Sequence, residues 1–286
     1  MELAKRINDY LCSDSVKGLS KQTQLNYKQG LSRLIAFCEA NQLDIFERQI
    51  NMGDYVNSLK QAGLSGKTIQ QLLTYAKIFL KWAGDPVEYT YRLPSEEKKE
   101  LKRKQLKRWF NEDEVSRCVA YPFSEVPEDL RLKYRVIVKL LVDTGARVRE
   151  IANVKAEDID LGDNIIWLMD SKTEPRPAFF STETQALIEV WKNSMVFAWT
   201  GSIFPTAERI QQIVNQMLDG LDINAPGRGP HTFRHFVATR LFYNGMRIED
   251  ISFLMGTTVE IIVKTYLHPT PLMLRQRVYK AMKWEE

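Results

Sequence analysis

In the first third of the chain, apolar side chains recur at intervals of three and four positions, which is the spacing of an amphipathic helix. One such segment runs from Ser20, a candidate helix cap, to Ala40, and a second runs from Lys67 to Trp82. Glycines separate these segments, and the alternating pattern of a strand does not occur. The pattern therefore predicts a helical N-terminal domain over residues 1–92, in which the leucine and aromatic stripes form the core.

The composition changes over residues 93–108, where seven basic side chains stand against three glutamates. Such a charge run is typical of a solvated linker or helix face. It also suits a segment that lies along the backbone of nucleic acid, where each neutralised phosphate adds affinity that depends on salt. Under that alternative the predicted DNA-binding side chains are Lys102, Arg103, Lys104, Lys107 and Arg108.

A second domain is predicted over residues 109–286. Asn111 to Glu114 has the form of a helix cap with a capping-box partner. The apolar run from Val136 to Val142 predicts a buried helix, which the sequence Asp143-Thr-Gly145 ends. The runs 164–169 and 177–180 predict a β-hairpin with Lys172 near its tip. Helices are predicted at about 182–195, 206–220, 231–244, 247–255 and 259–267, and a last amphipathic segment runs from Leu272 to Trp284.

Composition and charge narrow the class of protein. A chain of 286 residues with 44% apolar and 27% charged side chains is compatible with two globular domains. The net charge of +4 permits binding to nucleic acid without indicating it. The three cysteines have neither disulfide nor zinc-site spacing, so no metal is predicted. With no signal-peptide or membrane-length apolar run, the sequence predicts a soluble cytoplasmic protein, nucleoid-associated in a prokaryote, with no membrane partner.

The chain has only three histidines, and two of them, His231 and His235, flank Arg234 in His-Thr-Phe-Arg-His. On a helix these three side chains share one face. Histidine titrates nearest to neutral pH, and arginine holds a permanent charge and a fixed fork of donors. This cluster suits an anionic oxygen near a moving proton, although an isolated cluster of this kind is usually a solvated helix face.

Three further stretches offer matching chemistry. Arg147 follows a tight turn in Thr-Gly-x-Arg-x-x-Glu, Lys172 lies in the predicted hairpin, and Tyr266 precedes His268 by two positions. Phosphoryl transfer without a metal needs a nucleophile, cations around the non-bridging oxygens and an acid for the leaving oxygen. The four stretches together contain these groups.

In this order, with Met255-Gly256 before Tyr266, the motifs resemble the tyrosine recombinases, also called the phage integrase family, and in particular its compact Xer-like members. The N-terminal helices, with Thr23-x-x-x-Tyr27, are similar to the core-binding domain of that family. The resemblance covers nearly the full length. It implies a mainly α fold, with a helical core-binding domain and a mostly helical catalytic domain that contains a small β-hairpin.

The resemblance also implies the role of each site residue. Tyr266 would attack the scissile phosphate and form a 3′-phosphotyrosyl link with a free 5′-hydroxyl. Arg147 and Arg234 would hold the phosphoryl oxygens, because bidentate geometry favours arginine over lysine. Lys172 would protonate the leaving oxygen, and His231 would assist proton transfer. The supporting residues would be Glu150, His235 and His268.

No cofactor is expected for this chemistry. The implied partner is double-stranded DNA, on which the family acts as a homo-tetramer over paired sites, and a monomer when free is compatible with the sequence. The C-terminal stretch from Pro271 to Trp284 would dock into a neighbouring subunit or pack in cis, and the sequence leaves both open.

Three positions leave alternatives. Arg149 is a second candidate for the place of Arg147, and Arg176 lies four residues after Lys172 in a turn without the usual glycines of the family. Thr257 stands where the family has histidine or tryptophan, and its hydroxyl, that of Thr258 or a water would have to supply the missing donor.

The leading prediction is a site-specific DNA recombinase, acting in integration, excision or dimer resolution. One alternative is an enzyme that cleaves and reseals a single duplex, as topoisomerases of type IB do. The other is a sequence-specific DNA-binding protein with a weakened site, which only Thr257 favours.

Overall fold

The structure is a computed structural model that describes residues 2–43, 50–106, 109–169, 174–195, 199–266, 275, 278–279 and 282–284. The chain divides into two compact units, Met1–Arg103 and Lys104–Glu286. Helix α6 (Ser95–Leu106) occupies much of the segment 93–108 and continues through the division between the units. The boundaries at residues 92 and 109 stay predictions.

The regular secondary structure described in the first unit is all α-helical, as the sequence predicts, although residues 85–94 lie outside any helix. Its core consists mainly of apolar side chains from five helices, among them Leu31, Ile69 and Phe79. The Ser20 hydroxyl accepts a hydrogen bond from the backbone N–H of Thr23 at 3.2 Å, which confirms the predicted cap. The helices are α1 (Glu2–Leu11), α2 (Asp14–Lys17), α3 (Lys21–Ala40), α4 (Met52–Gln61) and α5 (Gly66–Trp82).

One glutamate of the basic segment is not solvated. The Glu97 carboxylate accepts a hydrogen bond from the backbone N–H of Gly66 at 2.8 Å, at the positive end of α5. The beginning of α6 is thereby attached to the first unit. The backbone of Lys102, Arg103 and Lys104 is helical, but their side chains lie outside the described residues, as do Lys107 and Arg108 entirely.

The second unit begins with the predicted capping box. The Asn111 side chain accepts from the Glu114 N–H at 2.8 Å, and the Glu114 carboxylate accepts from the Asn111 N–H at 3.0 Å. The helices of this unit are α7 (Glu112–Ala120), α8 (Glu128–Thr144), α9 (Val148–Ala152), α10 (Thr182–Ser194), α11 (Ala207–Gly220), α12 (Pro230–Tyr243), α13 (Ile248–Met255) and α14 (Val259–Ile261).

A small antiparallel sheet lies between α9 and α10. Its strands are β1 (Ile159–Asp160), β2 (Ile165–Leu168) and β3 (Arg176–Phe179), in the order β1-β2-β3. The pair β2–β3 confirms the predicted hairpin, while β1 was not predicted because two residues are too short for a periodic signal. Lys172, placed near the hairpin tip by the sequence, lies outside the described residues.

The helices after the sheet match the predictions to within one or two residues, except the last. The segment predicted as one helix over residues 259–267 is α-helical only to Ile261 and then forms a π-helical turn from Ile262 to Tyr266. Most of the predicted segment from Leu272 to Trp284 lies outside the described residues. Among the described helices, none is long and apolar enough to cross a membrane.

The end of α8 leads directly into the site described below. Gly145 ends the helix in the left-handed conformation, with φ of 60°. Two residues before this glycine, Asp143 accepts hydrogen bonds from the Ser181 N–H, the Ser181 hydroxyl and the Thr184 hydroxyl at 2.8, 2.8 and 2.6 Å. These bonds attach the end of α8 to the start of α10, so that the direction of the chain after Gly145 is constrained.

Gly145 should tolerate a side chain poorly for two reasons. A Cβ atom there would lie 3.1 Å from Val237 and 3.2 Å from Met255, and the left-handed conformation would itself be strained. Gly201, with φ of 65° and open space around it, is a matched control in the same unit. We expect Gly201→Ala to lower the free energy of unfolding by about 1–2 kcal/mol. Gly145→Ala should cost roughly 1 kcal/mol more in urea denaturation, and equal losses would contradict the close packing.

Candidate active site

Arg147 lies immediately after the Gly145 turn, at the residue that caps α9. Its backbone N–H donates to Oε2 of Glu150 at 2.7 Å, and its Nη1 donates to Oε1 of the same carboxylate at 2.7 Å. Its Nη2 donates to the carbonyl of Gly256, also at 2.7 Å. The side chain remains 31% exposed. Arg147 is therefore oriented from two directions while part of its guanidinium stays accessible.

Glu150 is buried and joins two arginines. In addition to Arg147, its Oε2 accepts a hydrogen bond from Nη2 of Arg176 at 2.7 Å. Arg176 lies on β3 opposite Leu168, with 2% of its side chain exposed, and its Nη1 donates to the carbonyl of Leu254. Arg149, the alternative to Arg147 in the sequence, is exposed on α9, and no contact places it in this network.

Arg234 reaches the same region from α12. It is buried, its Nη1 donates to the carbonyl of Gly145 at 3.0 Å, and its Nη2 donates to the carbonyl of Met255. His231 lies in the first turn of α12, where Pro230 begins the helix, and is exposed. The sequence predicted that His231 and Arg234 lie on one helix, and the structure confirms this helix as α12.

The three arginines meet at the C-terminal end of α13. Arg176, Arg234 and Arg147 donate to three consecutive carbonyl groups, those of Leu254, Met255 and Gly256 respectively. The last carbonyls of a helix lack intrahelical partners and form the negative end of its dipole. Guanidinium groups from β3, α12 and the start of α9 satisfy them here. Three segments that are distant in sequence are thereby held at one turn.

That turn contains the position at which the sequence departs from the family. Gly256 adopts the left-handed conformation, with φ of 55°. The N–H of Thr257 donates to the Ser252 carbonyl at 3.1 Å, and the Ser252 hydroxyl donates to the Thr257 carbonyl at 2.5 Å. The Thr258 hydroxyl accepts from the N–H of Ile261 at 3.4 Å and caps α14. Thr257 is half-buried and follows the residue that Arg147 contacts.

The structure places the backbone of Tyr266 at the end of the π-helical turn that follows α14. A π turn inside a helix is rare and occurs frequently at functional sites. The Tyr266 side chain, Lys172 and His268 lie outside what the structure describes. The structure thus brings together Arg147, Glu150 and Arg234, and the distances from them to Tyr266 and Lys172 stay predictions.

His235 follows Arg234 on α12 and is also buried. Its ring packs against Trp109, with ring centroids 3.4 Å apart and planes inclined by 30°. The sequence did not indicate Trp109, because aromatic contacts between distant segments have no local signal. Its contact holds the imidazole in one orientation, which fits the supporting role expected of His235.

Arg176, like Trp109, is a residue whose position in the site the sequence did not indicate. It could have been found from strand alternation, since Arg176 shares the inward face of β3 with Ala178. The pKa of Arg176 is lowered to about 10, chiefly by burial and also by nearby Arg234 and Arg147, while Glu150 opposes the shift. Arg147 and Arg176 share the single carboxylate of Glu150, so these two guanidinium groups carry more positive charge than it cancels, and the excess favours an anion.

The described residues contain no group of three His, Cys, Asp or Glu side chains that could hold a metal ion. The arginines of the site suit an oxyanion by themselves, because the donors of one guanidinium match two oxygens at once. That no cofactor takes part in the reaction stays a prediction.

Comparison with known proteins agrees with this arrangement. The sequence model described as "Phage integrase family" matches residues 108–272, and "Phage integrase, N-terminal SAM-like domain" matches residues 8–85. The chain is 25% identical over 281 residues to the tyrosine recombinase XerC of Mycobacterium tuberculosis (strain ATCC 25177 / H37Ra), covering 90% of this chain and 91% of the relative.

Two solved structures have the same fold. The Tn1549 transposon integrase in complex with circular intermediate DNA aligns with a TM-score of 0.70 at 16% identity, over 98% of this chain and 99% of that one. The XerH site-specific recombinase bound to its difH substrate aligns with a TM-score of 0.67 at 16% identity, over 95% and 82%. Because the first family model alone covers more than half of the chain, the protein belongs to the phage integrase family, the tyrosine recombinases that its motifs resemble.

Proposed function

We propose that this chain is a site-specific DNA recombinase that breaks and rejoins DNA strands through a 3′-phosphotyrosyl intermediate. The observation that carries the proposal is the convergence of Arg147 and Arg234 on adjacent carbonyls, those of Gly256 and Met255. Two guanidinium groups near one point can bind the non-bridging oxygens of a phosphodiester. The chain then continues over ten residues from Gly256 to Tyr266, the proposed nucleophile.

The proposed reaction is a displacement at phosphorus. The Tyr266 oxygen forms a bond to phosphorus, its proton passes to a base such as His231, and the bond to the 5′-oxygen breaks. Lys172 supplies the proton that makes the leaving oxygen a hydroxyl. Arg147 and Arg234 stabilise the charge that develops on the equatorial oxygens. Attack by the 5′-hydroxyl of another strand reverses these steps and completes the exchange.

Glu150, His235 and His268 are proposed to support this chemistry without contacting the phosphate. Glu150 has the clearest structural basis, since its carboxylate accepts from both the backbone and the side chain of Arg147. Loss of that carboxylate would free the guanidinium to adopt other rotamers, which would weaken its preorganisation for phosphate.

The proposed partner is double-stranded DNA, bound by a homo-tetramer over two paired sites. The solved relatives support the DNA partner, because the XerH and Tn1549 structures contain DNA substrates. The basic side chains at positions 102–104, 107 and 108 are proposed to contact phosphates. The names of the curated relatives favour recombination over simple cleavage and resealing. Trapping of a covalent adduct separates both of these activities from DNA binding alone.

The first test concerns the nucleophile. Incubation with a pool of nicked suicide duplexes should trap a covalent adduct and identify the cleaved site, because the nicked strand diffuses away. Tyr266→Phe should abolish the adduct and leave DNA affinity near that of the wild type, since only the attacking oxygen is lost. An adduct in the variant, for example at Tyr243 or Tyr279, would show that the assignment is wrong. Sequence-specific binding without any wild-type adduct would favour a DNA-binding protein.

The second test concerns the acid. Lys172→Ala should slow cleavage of a normal phosphodiester, because the 5′-oxygen leaves without a proton. A 5′-bridging phosphorothiolate should largely restore the rate, because its sulfur leaves unprotonated. Single-turnover cleavage of the two substrates measures this difference. A variant that is equally slow on both would assign the proton to another group.

The third test concerns Thr257, whose hydroxyl is proposed to replace the histidine or tryptophan donor of the family. Thr257→Val retains the branched shape and should slow cleavage by roughly tenfold or more, since one lost donor typically costs about 10²–10³ in rate and a water can replace part of it. Thr257→His should cleave at least as fast as the wild type where the pocket admits the ring.

Thr258→Val is the matched control, because Thr258 caps α14. It should lower the free energy of unfolding by about 1 kcal/mol without a comparable loss in cleavage rate. Full activity of Thr257→Val, or a larger rate loss in Thr258→Val, would remove Thr257 from the proposed donor position.

A further inference from the structure

Among the buried charged side chains that the structure describes in the second unit, one arginine is not used by the proposed reaction. Arg176 lies on the inward face of β3 and is 2% exposed. Burying a charge is costly unless it is paired and hydrogen-bonded, so its partners indicate why it is retained. Those partners are the Glu150 carboxylate and the Leu254 carbonyl.

Both partners lead directly to Arg147. Glu150 Oε2, which accepts from Arg176, also accepts from the backbone N–H of Arg147 at 2.7 Å, and Oε1 accepts from its Nη1 at 2.7 Å. The Leu254 carbonyl lies two residues before Gly256, whose carbonyl accepts from Arg147 Nη2. Arg176 therefore contacts both anchors of Arg147, the carboxylate at one end and the helix terminus at the other.

Without Arg176, both anchors would lose a constraint. The Glu150 carboxylate would keep its bonds to Arg147 but could rotate towards it, because nothing would hold Oε2 from the opposite side. The C-terminal end of α13 would lose the bond that connects it to the sheet. A shift of about 1 Å in the position of a catalytic group can cost about 10²-fold in rate, so small changes here would matter.

We propose that Arg176 is a positioning residue for the reaction, which fixes Glu150 and the end of α13 so that the Arg147 guanidinium points at the scissile phosphate. The proposal rests on the function proposed above, in which Arg147 binds phosphate. It assigns to the hairpin a second task besides presenting Lys172. The base of the hairpin holds the phosphate-binding arginine, while the proposed acid, Lys172, belongs to the sequence between β2 and β3.

The main variant is Arg176→Met, which has a similar length and no charge. The matched control is Arg131→Met, since Arg131 also donates to two backbone carbonyls, those of Val126 and Ser124, near the opposite end of α8. Single-turnover cleavage of the duplex recovered from the pool should fall about 10²-fold in Arg176→Met, with DNA affinity near that of the wild type. Arg131→Met should cleave at the wild-type rate. Equal rates in the two variants would overturn the proposal.

A second readout does not depend on catalysis. In protein labelled with ¹⁵N-arginine, the Nε–Hε signal of Arg147 can be assigned from its disappearance in Arg147→Lys. Arg176→Met should shift or broaden this signal, and Arg131→Met should leave it unchanged. An unchanged Arg147 signal in Arg176→Met would overturn the positioning role. Where the wild type cleaves no DNA, the proposed function fails while this measurement still decides whether Arg176 orients Arg147.

Arg176→Lys tests the charge, and remains usable where the methionine variant does not fold. The groups that face this position are Glu150 from α9, Arg147 at its start and Arg234 from α12. Burial and the two arginines should lower the pKa of a lysine there below its ordinary value of about 10.4. Because the charged form is the active one, activity should be present at low pH and lost as the pH rises through that lowered pKa.

The measurement is the ratio of wild-type to Arg176→Lys cleavage rates between about pH 7 and pH 9, with circular dichroism at each pH to confirm equal folding. A ratio that increases with pH supports a positioning charge. A constant ratio, with both proteins folded, would overturn it, because a role in packing alone does not depend on the charge of the side chain.

Discussion

The catalytic unit depends on one arrangement, in which three guanidinium groups satisfy the carbonyls at the C-terminal end of α13. Arg176, Arg234 and Arg147 come from β3, α12 and the start of α9, and they donate to Leu254, Met255 and Gly256 in turn. A helix terminus inside a protein needs partners for its last carbonyls, and buried guanidinium groups need acceptors. The guanidinium groups satisfy the carbonyls, and the carbonyls supply the acceptors that the guanidinium groups need. Strand β3, helix α12 and the start of α9 must therefore lie together at the end of α13.

The same arrangement leaves an excess of positive charge. Glu150 is the one carboxylate that contacts both Arg147 and Arg176 among the described residues, and Arg234 donates to the carbonyls of Gly145 and Met255. Backbone carbonyls satisfy hydrogen-bond donors without cancelling a full charge. The guanidinium donors are thus hydrogen-bonded while their positive charge still attracts an anion, and a site that holds a phosphodiester needs such a charge.

Much of the fold could be predicted from the sequence because its signals are local. The Ser20 cap, the capping box from Asn111 to Glu114 and the end of α8 at Gly145 each depend on residues within a few positions of one another. The exceptions have physical reasons. Strand β1 is too short for a periodic pattern, and the apolar pattern before Tyr266 does not distinguish an α-helix from a π-helical turn.

By itself the sequence determined the helical architecture, the hairpin, the family and the candidate residues Arg147, Arg234 and Tyr266, because each has a motif or periodicity within a short segment. The resemblance also implied Glu150 as a supporting residue, but only the tertiary structure showed that Arg176 and the Gly256 carbonyl act with it to hold Arg147 in place. Glu150, Arg176 and the carbonyl of Gly256 come from three separate segments, and a main-chain carbonyl has no signature in the sequence. Contacts of that kind follow from packing and the need to compensate buried charge, which are properties of the folded chain as a whole.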